Sequence, residues 1–317
     1  MISIALLVAG MILLIFGGDY LVKSAVALAV KLKLSRIVIG MTVVSFATSV
    51  PELIVSITSA LKNHPDIAMS NVIGSNIANI ALVLGFTALL APIIVKQTSY
   101  RYNWPGMMLI SFLLLIFLKD DRLSFPEGMI LFFFLILFTL IIVRHSYKTG
   151  DAALEEDDVE LGGKKPVIVL IWLIAGGFML WLGSRWLVEG AIIMARMFGI
   201  SERIIGISVI AVGTSIPELA ASVISALKHE KDISLGNLIG SNIFNIGSVL
   251  GITAMIKPVA GLSPRLMNND IYWMLAISFI LLPLSLLPPK NLINRWKGAV
   301  LLLLYALFIY LSFVGHA

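Results

Sequence analysis

The stretch SFATSVPELIV, residues 45–55, carries an acid and a proline inside an otherwise apolar run. A second copy, AVGTSIPELAA, occupies residues 211–221. Proline removes a backbone donor and clashes with the preceding helical turn, so we predict that the helices kink or break at Pro51 and Pro217. The carbonyl groups that a break releases are natural cation ligands when they line a cavity inside a membrane protein.

The composition places both copies in a membrane protein. Of the 317 residues, 59% are hydrophobic and 13% are charged, and the mean hydropathy is +1.01. A helix of about 20 apolar residues crosses a bilayer, and apolar windows of this kind occur ten times. They lie at residues 2–32, 36–60, 68–91, 104–118, 125–144, 166–198, 202–226, 234–256, 270–288 and 294–313. We therefore predict an all-α polytopic membrane protein with ten transmembrane helices.

A fixed offset of 166 residues relates the two copies without a gap. Residues 38–85 and 204–251 share 26 identities in 48 positions, which is more than common hydrophobicity explains. The chain is therefore predicted to be a duplicated five-helix unit. Because five is an odd number, equivalent helices would cross the membrane in opposite directions, and this inverted-repeat arrangement is typical of secondary transporters.

The predicted organisation has three parts: a first five-helix repeat at residues 1–144, a cytoplasmic linker at 145–165 and a second, inverted repeat at 166–317. The linker is acidic, and its composition favours a solvated segment over the alternative of a regulatory cation site. Its acids are Asp151, Glu155, Glu156, Asp157, Asp158 and Glu160.

The distribution of basic residues predicts the orientation. With the N-terminus outside, the inner loops hold 14 lysines and arginines and the outer loops hold 7, so both termini are expected outside. The first window lacks a basic start and a small-residue cleavage site, which indicates a retained span, and a prokaryotic cell membrane is the simplest location. The net charge of +5 is attributed to topology and not to nucleic acid. The expected partners are the lipid bilayer and transported ions, and the chain is expected to be monomeric.

Two acids lie deep inside predicted spans. A carboxylate near the bilayer centre is costly and normally marks function. Glu52 and Glu218 together offer two negative charges, which complement one divalent cation, and calcium prefers carboxylate and carbonyl oxygens. Ser49 and Ser215 each lie three residues before a glutamate, near the same helical face.

The helix that follows each acid carries a second shared motif, GSNIANI at residues 74–80 and GSNIFNI at 240–246. Its serine and asparagine are four residues apart and so share one helical face. These residues are Ser75 and Asn79 in the first copy, and Ser241 and Asn245 in the second. A set of hydroxyl, amide, carbonyl and carboxylate oxygens excludes soft metals and fits sodium, calcium or protons.

Some of these polar residues could instead have a purely structural role. A single serine or asparagine in a membrane helix more often serves packing than ion binding, and Asn76 and Asn242 could cap or bridge helices instead. The chain has no cysteine and its four histidines lie in or near loops, so neither a zinc site nor a Ser-His arrangement is supported. An intramembrane hydrolase using Ser49 or Ser215 would have no base except the glutamates. We therefore expect no enzyme activity and no cofactor.

With these motifs the chain resembles the sodium/calcium exchanger branch of the cation/calcium antiporter superfamily, in its compact prokaryotic form. The resemblance covers nearly the whole chain and is carried by two copies of T-S-x-P-E-L, each followed by G-S-N-I-x-N-I. It implies ten helices, of which the second, third, seventh and eighth enclose the cation sites. It also implies that sodium and calcium compete there, and that the first and sixth helices slide to switch access.

The resemblance also implies a ligand set by position. Calcium would bind Glu52 and Glu218 with the backbone carbonyls of Thr48 and Thr214. Sodium would use the same glutamates with Ser49, Ser75, Ser215, Ser241 and the carbonyls near Ser45 and Ala211, and Asn79 and Asn245 would complete the centre.

The chain departs from the family pattern at two positions. Many exchangers carry an aspartate where this chain has Asn245, and Ala47 replaces the usual glycine. The expected function is a secondary antiporter that exchanges sodium for calcium by alternating access. A proton-coupled calcium antiporter and, from a different class, a cation channel are the alternatives.

Overall fold

The computed structural model describes residues 2–149, 160–198 and 213–314. Within these ranges nine helices are long and apolar enough to cross a membrane, and one apolar helix is shorter. The helices are α1 (Ile2–Lys31), α2 (Arg36–Leu61), α3 (Pro65–Leu90), α4 (Ser99–Asp120), α5 (Phe125–Thr149), α6 (Pro166–Met197), α7 (Ile216–Leu227), α8 (Lys231–Ile256), α9 (Leu266–Leu286) and α10 (Arg295–Val314). The window predicted at 202–226 begins outside the described residues, and its described part is the short helix α7.

Equivalent helices of the two sequence halves end in the same way. The chain leaves α2 through Asn63 and leaves α7 through His229, and both residues have left-handed backbone, with φ of 61° and 65°. The next residue in each copy donates its backbone N–H five residues back, from His64 to Ser59 and from Glu230 to Ser225. This hydrogen bond closes the last turn and satisfies a carbonyl that the helix leaves unpaired.

Two short strand pairs are an exception to the predicted all-α fold. Strand β1 (Ile93–Ile94) pairs antiparallel with β4 (Leu292–Ile293), and β2 (Arg122–Leu123) pairs antiparallel with β3 (Val259–Ala260). Each strand has only two residues and lies in a connection between helices. The extended backbone of these connections pairs with a neighbouring connection, which satisfies its polar groups.

The chain forms two compact units. The first contains residues 1–48 and 145–237, and the second contains residues 49–144 and 238–317. Both halves of the sequence contribute to each unit, so the repeats predicted from sequence do not coincide with the compact units.

In the first unit, α1 and α6 pack closely along a line of glycines. A Cβ atom at Gly10 would lie 2.8 Å from the carbonyl oxygen of Gly183, and one at Gly17 would lie 2.9 Å from that of Gly176. The contacts move down α6 as they move up α1, so the two helices run antiparallel. Small residues let two membrane helices approach until their backbones touch.

The acidic linker meets the same helix. Glu160 accepts a hydrogen bond from Lys23 of α1 at 2.7 Å, and Lys31 donates to the carbonyl oxygen of Gly162. Lys23 also lies 3.1 Å from Asp19, one turn earlier. The end of the linker that precedes α6 is therefore held against α1. The remaining acids, residues 151–158, lie outside the described residues.

In the second unit, α3 and α8 are the most buried of the long helices. Both change to a wider π-helical turn at equivalent places, over Ala78–Leu84 and Asn245–Leu250. Such π-helical turns inside α-helices are frequent at functional sites. Each begins at or beside the second asparagine of the GSNIxNI motif.

The helix is broken beside the proline in one copy, as predicted, and continues through it without a break in the other. Helix α7 begins at Ile216, directly after a turn at Thr214 and Ser215, so Pro217 lies in its first turn. In the first copy the α-helical part of α2 runs without a break from Ser45 to Leu61 and includes Pro51. A π-helical turn over Gly40–Val44 precedes it. This wider turn is the irregular part of α2. At Pro51 the helix lacks only the backbone N–H donor that proline does not have.

The glycine line leads to a prediction for stability. Alanine at Gly176 would place its Cβ 2.7 Å from the backbone nitrogen of Leu21, whereas Gly177 has only the Cβ of Ala47 within reach, at 3.7 Å. Gly176→Ala is expected to destabilise the protein by about 1–3 kcal/mol because α1 and α6 must separate. Gly177→Ala is the matched control and should not lower the melting temperature of the purified protein in detergent. Equal melting temperatures for the two variants would contradict this packing.

Candidate functional site

Both glutamates of the duplicated motif are buried. Glu52 and Glu218 each have 0% of their surface exposed. An isolated ionised carboxylate is very costly away from water, so a buried acid is normally protonated, paired or bound to a cation. Each glutamate therefore needs a compensating positive charge or a proton.

Most of the other predicted ligands are buried polar residues, in the two glutamate motifs or in the helices that follow them, α3 and α8. Thr214 is half-buried, and Ala211 lies outside the described residues. The remaining predicted residues are all buried: Ser45, Thr48, Ser49, Ser75, Asn79, Ser215, Ser241 and Asn245. Buried side-chain oxygens at this density are unusual in apolar helices and require partners.

In the first unit, the broken helix places Glu218 at a helix start. Glu218 lies in the first turn of α7, where the helix dipole and the free backbone N–H groups favour a negative charge. Ser215 occupies the N-cap position, but its side chain makes no capping hydrogen bond. The buried Oγ of Ser215 has no hydrogen-bond partner among the residues that the structure describes. A hydroxyl of this kind is available as an oxygen ligand.

A residue that the sequence analysis missed satisfies part of the broken backbone. Pro217 has no N–H for the carbonyl group four residues earlier, that of Gly213. The Ser184 hydroxyl, from α6, donates to this carbonyl oxygen at 2.8 Å. The Gly213 carbonyl therefore has a protein donor in place of the missing helical one.

Asn237 is a second residue that the sequence analysis missed. Its side-chain oxygen accepts a hydrogen bond from the Thr48 hydroxyl at 3.3 Å, and its amide nitrogen donates to the Ser222 hydroxyl at 3.0 Å. The Ser45 hydroxyl lies 2.9 Å from the backbone oxygen of Asn237. In the first unit Asn237 thus ties α8 to the first residues of the TSVPEL segment in α2 and to α7.

The equivalent asparagine, Asn71, acts in the second unit. Its amide nitrogen donates to the backbone oxygen of Glu52 at 3.2 Å and to the Ser56 hydroxyl at 3.0 Å. It therefore holds the Glu52 turn of α2 against α3. The 166-residue offset pairs Asn71 with Asn237 and Ser56 with Ser222, all identical, and this signal could have found them.

Ser49 lies in the second unit, one turn before Glu52. Its Oγ is buried and has no hydrogen-bond partner in the described part of the chain. Ser75 and Ser241, from α3 and α8 of the same unit, are buried as well. Hydroxyl oxygens from three helix segments are therefore buried in the same unit as the Glu52 carboxylate.

The four asparagines of the two GSNIxNI motifs form one hydrogen-bonded group in the second unit. Asn76 and Asn242 each donate to the backbone oxygen of the other at 3.2 Å. Asn79 donates to the side-chain oxygen of Asn242 at 3.1 Å, and Asn245 donates to that of Asn76 at 3.0 Å. Asn76 and Asn242 therefore bridge α3 and α8, which is the role that the sequence analysis gave as their alternative.

Outside the membrane segments, an ion pair joins the start of α2 to the connection between α7 and α8. Arg36 lies 2.8 Å from Glu230. Burial raises the pKa of the Glu230 carboxyl group above its usual value, and the nearby Arg36 charge opposes this shift. The pair lies at a helix end and takes no part in the predicted ligand set.

The carboxylates are too dispersed for a site made of charged ligands alone. Within residues 2–149, 160–198 and 213–314, no three side chains of the His, Cys, Asp or Glu type form a group that could hold a metal ion. A cation bound by Glu52 or Glu218 would therefore take neutral oxygens as its other ligands. This mixture suits sodium and calcium, which accept carbonyl, amide and hydroxyl oxygens.

The sequence matches the family described as "Sodium/calcium exchanger protein" over residues 2–144 and 168–314. CaxA of Alkalimonas amylolytica, provisionally named an antiporter, is 39% identical over 318 residues that cover 99% of each chain. The sodium/calcium exchanger MaX1 of Methanosarcina acetivorans is 30% identical, covering 98% of this chain and 99% of its own.

The fold is similar to that of a solved exchanger. A structure of the sodium-calcium exchanger NCX_Mj, soaked with zero Na⁺ and Ca²⁺, superimposes with a TM-score of 0.83 and 29% sequence identity, and 98% of each chain is covered. The buried glutamates, the duplicated motifs and these similarities lead to one conclusion: the chain is a multi-pass membrane protein that belongs to the sodium/calcium exchanger family.

Proposed function

We propose that this protein is a secondary antiporter that exchanges sodium for calcium across the cell membrane by alternating access. The observation that carries the proposal is the complete burial of Glu52 and Glu218 in duplicated motifs of a sodium/calcium exchanger family member. A buried acid that must be compensated by a cation, present once in each sequence half, fits a transport site better than a structural role.

The proposed ligands are those predicted from the sequence. The equivalence of the two motifs is the reason to assign both carboxylates to the same cation. Two carboxylates carry two negative charges, which balance one calcium ion or about two sodium ions. Bound calcium and bound sodium therefore exclude each other. This exclusion would couple the two ion fluxes. The neutral ligands would be the oxygens of Ser49, Ser75, Asn79, Ser215, Ser241 and Asn245, with carbonyls from Ser45, Thr48, Ala211 and Thr214.

The proposal includes ten transmembrane helices in two inverted five-helix repeats. The antiparallel course of α1 and α6 supports it, since these helices are equivalent at the 166-residue offset. The strand pairs support it as well, because β1 and β2 of the first sequence half pair with β4 and β3 of the second. Placement of both termini outside rests on the two-to-one excess of basic residues in the inner loops. The transporter is proposed to work as a monomer without a cofactor.

One transport prediction concerns the coupling ion. Proteoliposomes loaded with sodium should take up calcium from the outside, whereas liposomes loaded with potassium or choline should not, at clamped pH and membrane potential. Radioactive calcium measures the uptake. Calcium uptake that does not depend on internal sodium but is driven by an imposed pH gradient would contradict this proposal and indicate proton coupling. Uptake that does not saturate and needs no counter-ion would indicate a channel.

Another transport prediction concerns the two acids. Glu52→Gln or Glu218→Gln should weaken calcium binding by about 3–5 kcal/mol, more than about 100-fold, because the remaining ligands cannot balance the ion's charge. Sodium-driven calcium uptake should then fall to background. Glu127→Gln is the matched control, because this glutamate lies at the start of α5, away from the proposed ligands. Its side-chain oxygen accepts hydrogen bonds from the Ser124 hydroxyl at 2.6 Å and from the Ser124 backbone N–H at 2.8 Å. Normal uptake by both site variants would refute the assignment of the acids.

A third transport prediction concerns charge movement. If three sodium ions leave for each calcium ion that enters, as the family resemblance implies, each cycle moves one net positive charge out of the liposome. An inside-positive potential should then accelerate calcium uptake, and an inside-negative potential should slow it, since about 2.3 kcal/mol per charge is gained or lost for each 100 mV. Rates that are equal at both potentials would exclude this stoichiometry.

A further inference from the structure

The asparagine group of the second unit has a feature that its bridging role alone does not require. Asn79 and Asn245 are both completely buried, and each uses its amide nitrogen as a donor. Their side-chain oxygens are buried too, and neither has a hydrogen-bond partner among the described residues. Two amide oxygens are thus left without donors in an otherwise satisfied group, although buried polar atoms are normally paired.

The orientation of the whole group follows from two backbone carbonyl groups. A carbonyl oxygen only accepts hydrogen bonds. Asn76 must therefore point its NH₂ group at the backbone oxygen of Asn242, and Asn242 must point its NH₂ group at that of Asn76. The side-chain oxygens of Asn76 and Asn242 then face Asn245 and Asn79. An oxygen needs a donor, so Asn245 and Asn79 must turn their NH₂ groups toward it.

These hydrogen bonds also fix the direction of the two unpaired side-chain oxygens, those of Asn79 and Asn245. Once the NH₂ groups of Asn79 and Asn245 are engaged, their carbonyl oxygens must point the other way. A reversed carboxamide would set two oxygens against each other and would present NH₂ to an approaching cation. The reversed arrangement is therefore disfavoured at both positions, and the free groups are acceptors with no proton to offer.

We propose that Asn76 and Asn242 are positioning residues, which hold the carboxamides of Asn79 and Asn245 so that their oxygens are presented to the transported cation. This inference rests on the proposed exchange function, because it assigns the two free oxygens to that cation. The arrangement is repeated across the two sequence halves, with distances that agree within 0.1 Å between equivalent bonds. A neutral oxygen that is already oriented binds a cation without the cost of turning an amide.

The test compares the loss of Asn76 in two backgrounds. Asn76→Ala removes the acceptor that orients Asn245, so the binding of calcium, of sodium or of both should weaken about tenfold to a hundredfold, as for other outer residues that orient ligands. In an Asn245→Asp background the same change should cost less than about threefold, because a carboxylate offers an oxygen in either rotation. A purely structural bridge would give the same loss in both backgrounds.

Binding is measured on the purified full-length protein with radioactive calcium, with sodium as the competitor. The second sequence half supplies an independent copy of the test, Asn242→Ala with and without Asn79→Asp, which serves if Asn76→Ala does not fold. Asn103→Ala is the matched control, since Asn103 is a buried asparagine of the same unit that is not bonded to this group. Its affinities should equal those of the parent, and monodisperse elution with an unchanged melting temperature establishes folding.

The outcomes separate this inference from the proposed function. A parent protein that exchanges sodium for calcium, with variants whose losses do not depend on the background, overturns the positioning role and leaves the exchange intact. Affinities that stay within about threefold of the parent in Asn76→Ala and Asn242→Ala overturn it as well. A parent protein that binds neither ion overturns both the exchange and the positioning role.

Discussion

The high cost of a buried carboxylate is the constraint on which the rest of this structure depends. Glu52 and Glu218 have no exposed surface, and they lie in helices whose other residues are mostly apolar. Such a group is stable only when a proton or a cation compensates its charge. We propose that neutral oxygens near the two motifs complete this compensation, because within the described part of the chain no three His, Cys, Asp or Glu side chains form a group that could hold a metal ion.

A protein interior that offers oxygens to a cation must also satisfy its own backbone. The structure does this with donors that come from other helices. Ser184 bonds the carbonyl of Gly213 that Pro217 leaves open, and Asn71 bonds the backbone oxygen of Glu52. The Ser184 bond satisfies a carbonyl of the broken backbone that would be unfavourable in lipid, and the Asn71 bond joins α3 to α2. The remaining free atoms, among them the oxygens of Asn79 and Asn245, therefore stand out as candidate ligands and not as packing errors.

Because the sequence is duplicated, equivalent elements of its two halves make reciprocal contacts with each other. Gly10 packs on Gly183 as Gly17 packs on Gly176, and the strand pairs join a connection of one half to a connection of the other. The two copies are nevertheless not identical. The helix breaks before Pro217 but continues through Pro51, where a π-helical turn lies upstream. Sequence identity at the motif therefore does not guarantee the same backbone.

The membrane class, the approximate positions of the apolar helices, the duplication and the residues of the candidate site could all be predicted from the order of residues along the chain. These properties depend on hydrophobic length, residue order and a constant offset, all of which are local or periodic along the chain. The residue order also indicated that Asn76 and Asn242 could bridge helices. The folded structure was needed to show which amide atoms are hydrogen-bonded and which are free, that Ser184 bonds the carbonyl of Gly213, and that both halves contribute to each compact unit. These features depend on donors and acceptors that meet only after folding, between residues far apart in the sequence, so no local pattern could have specified them.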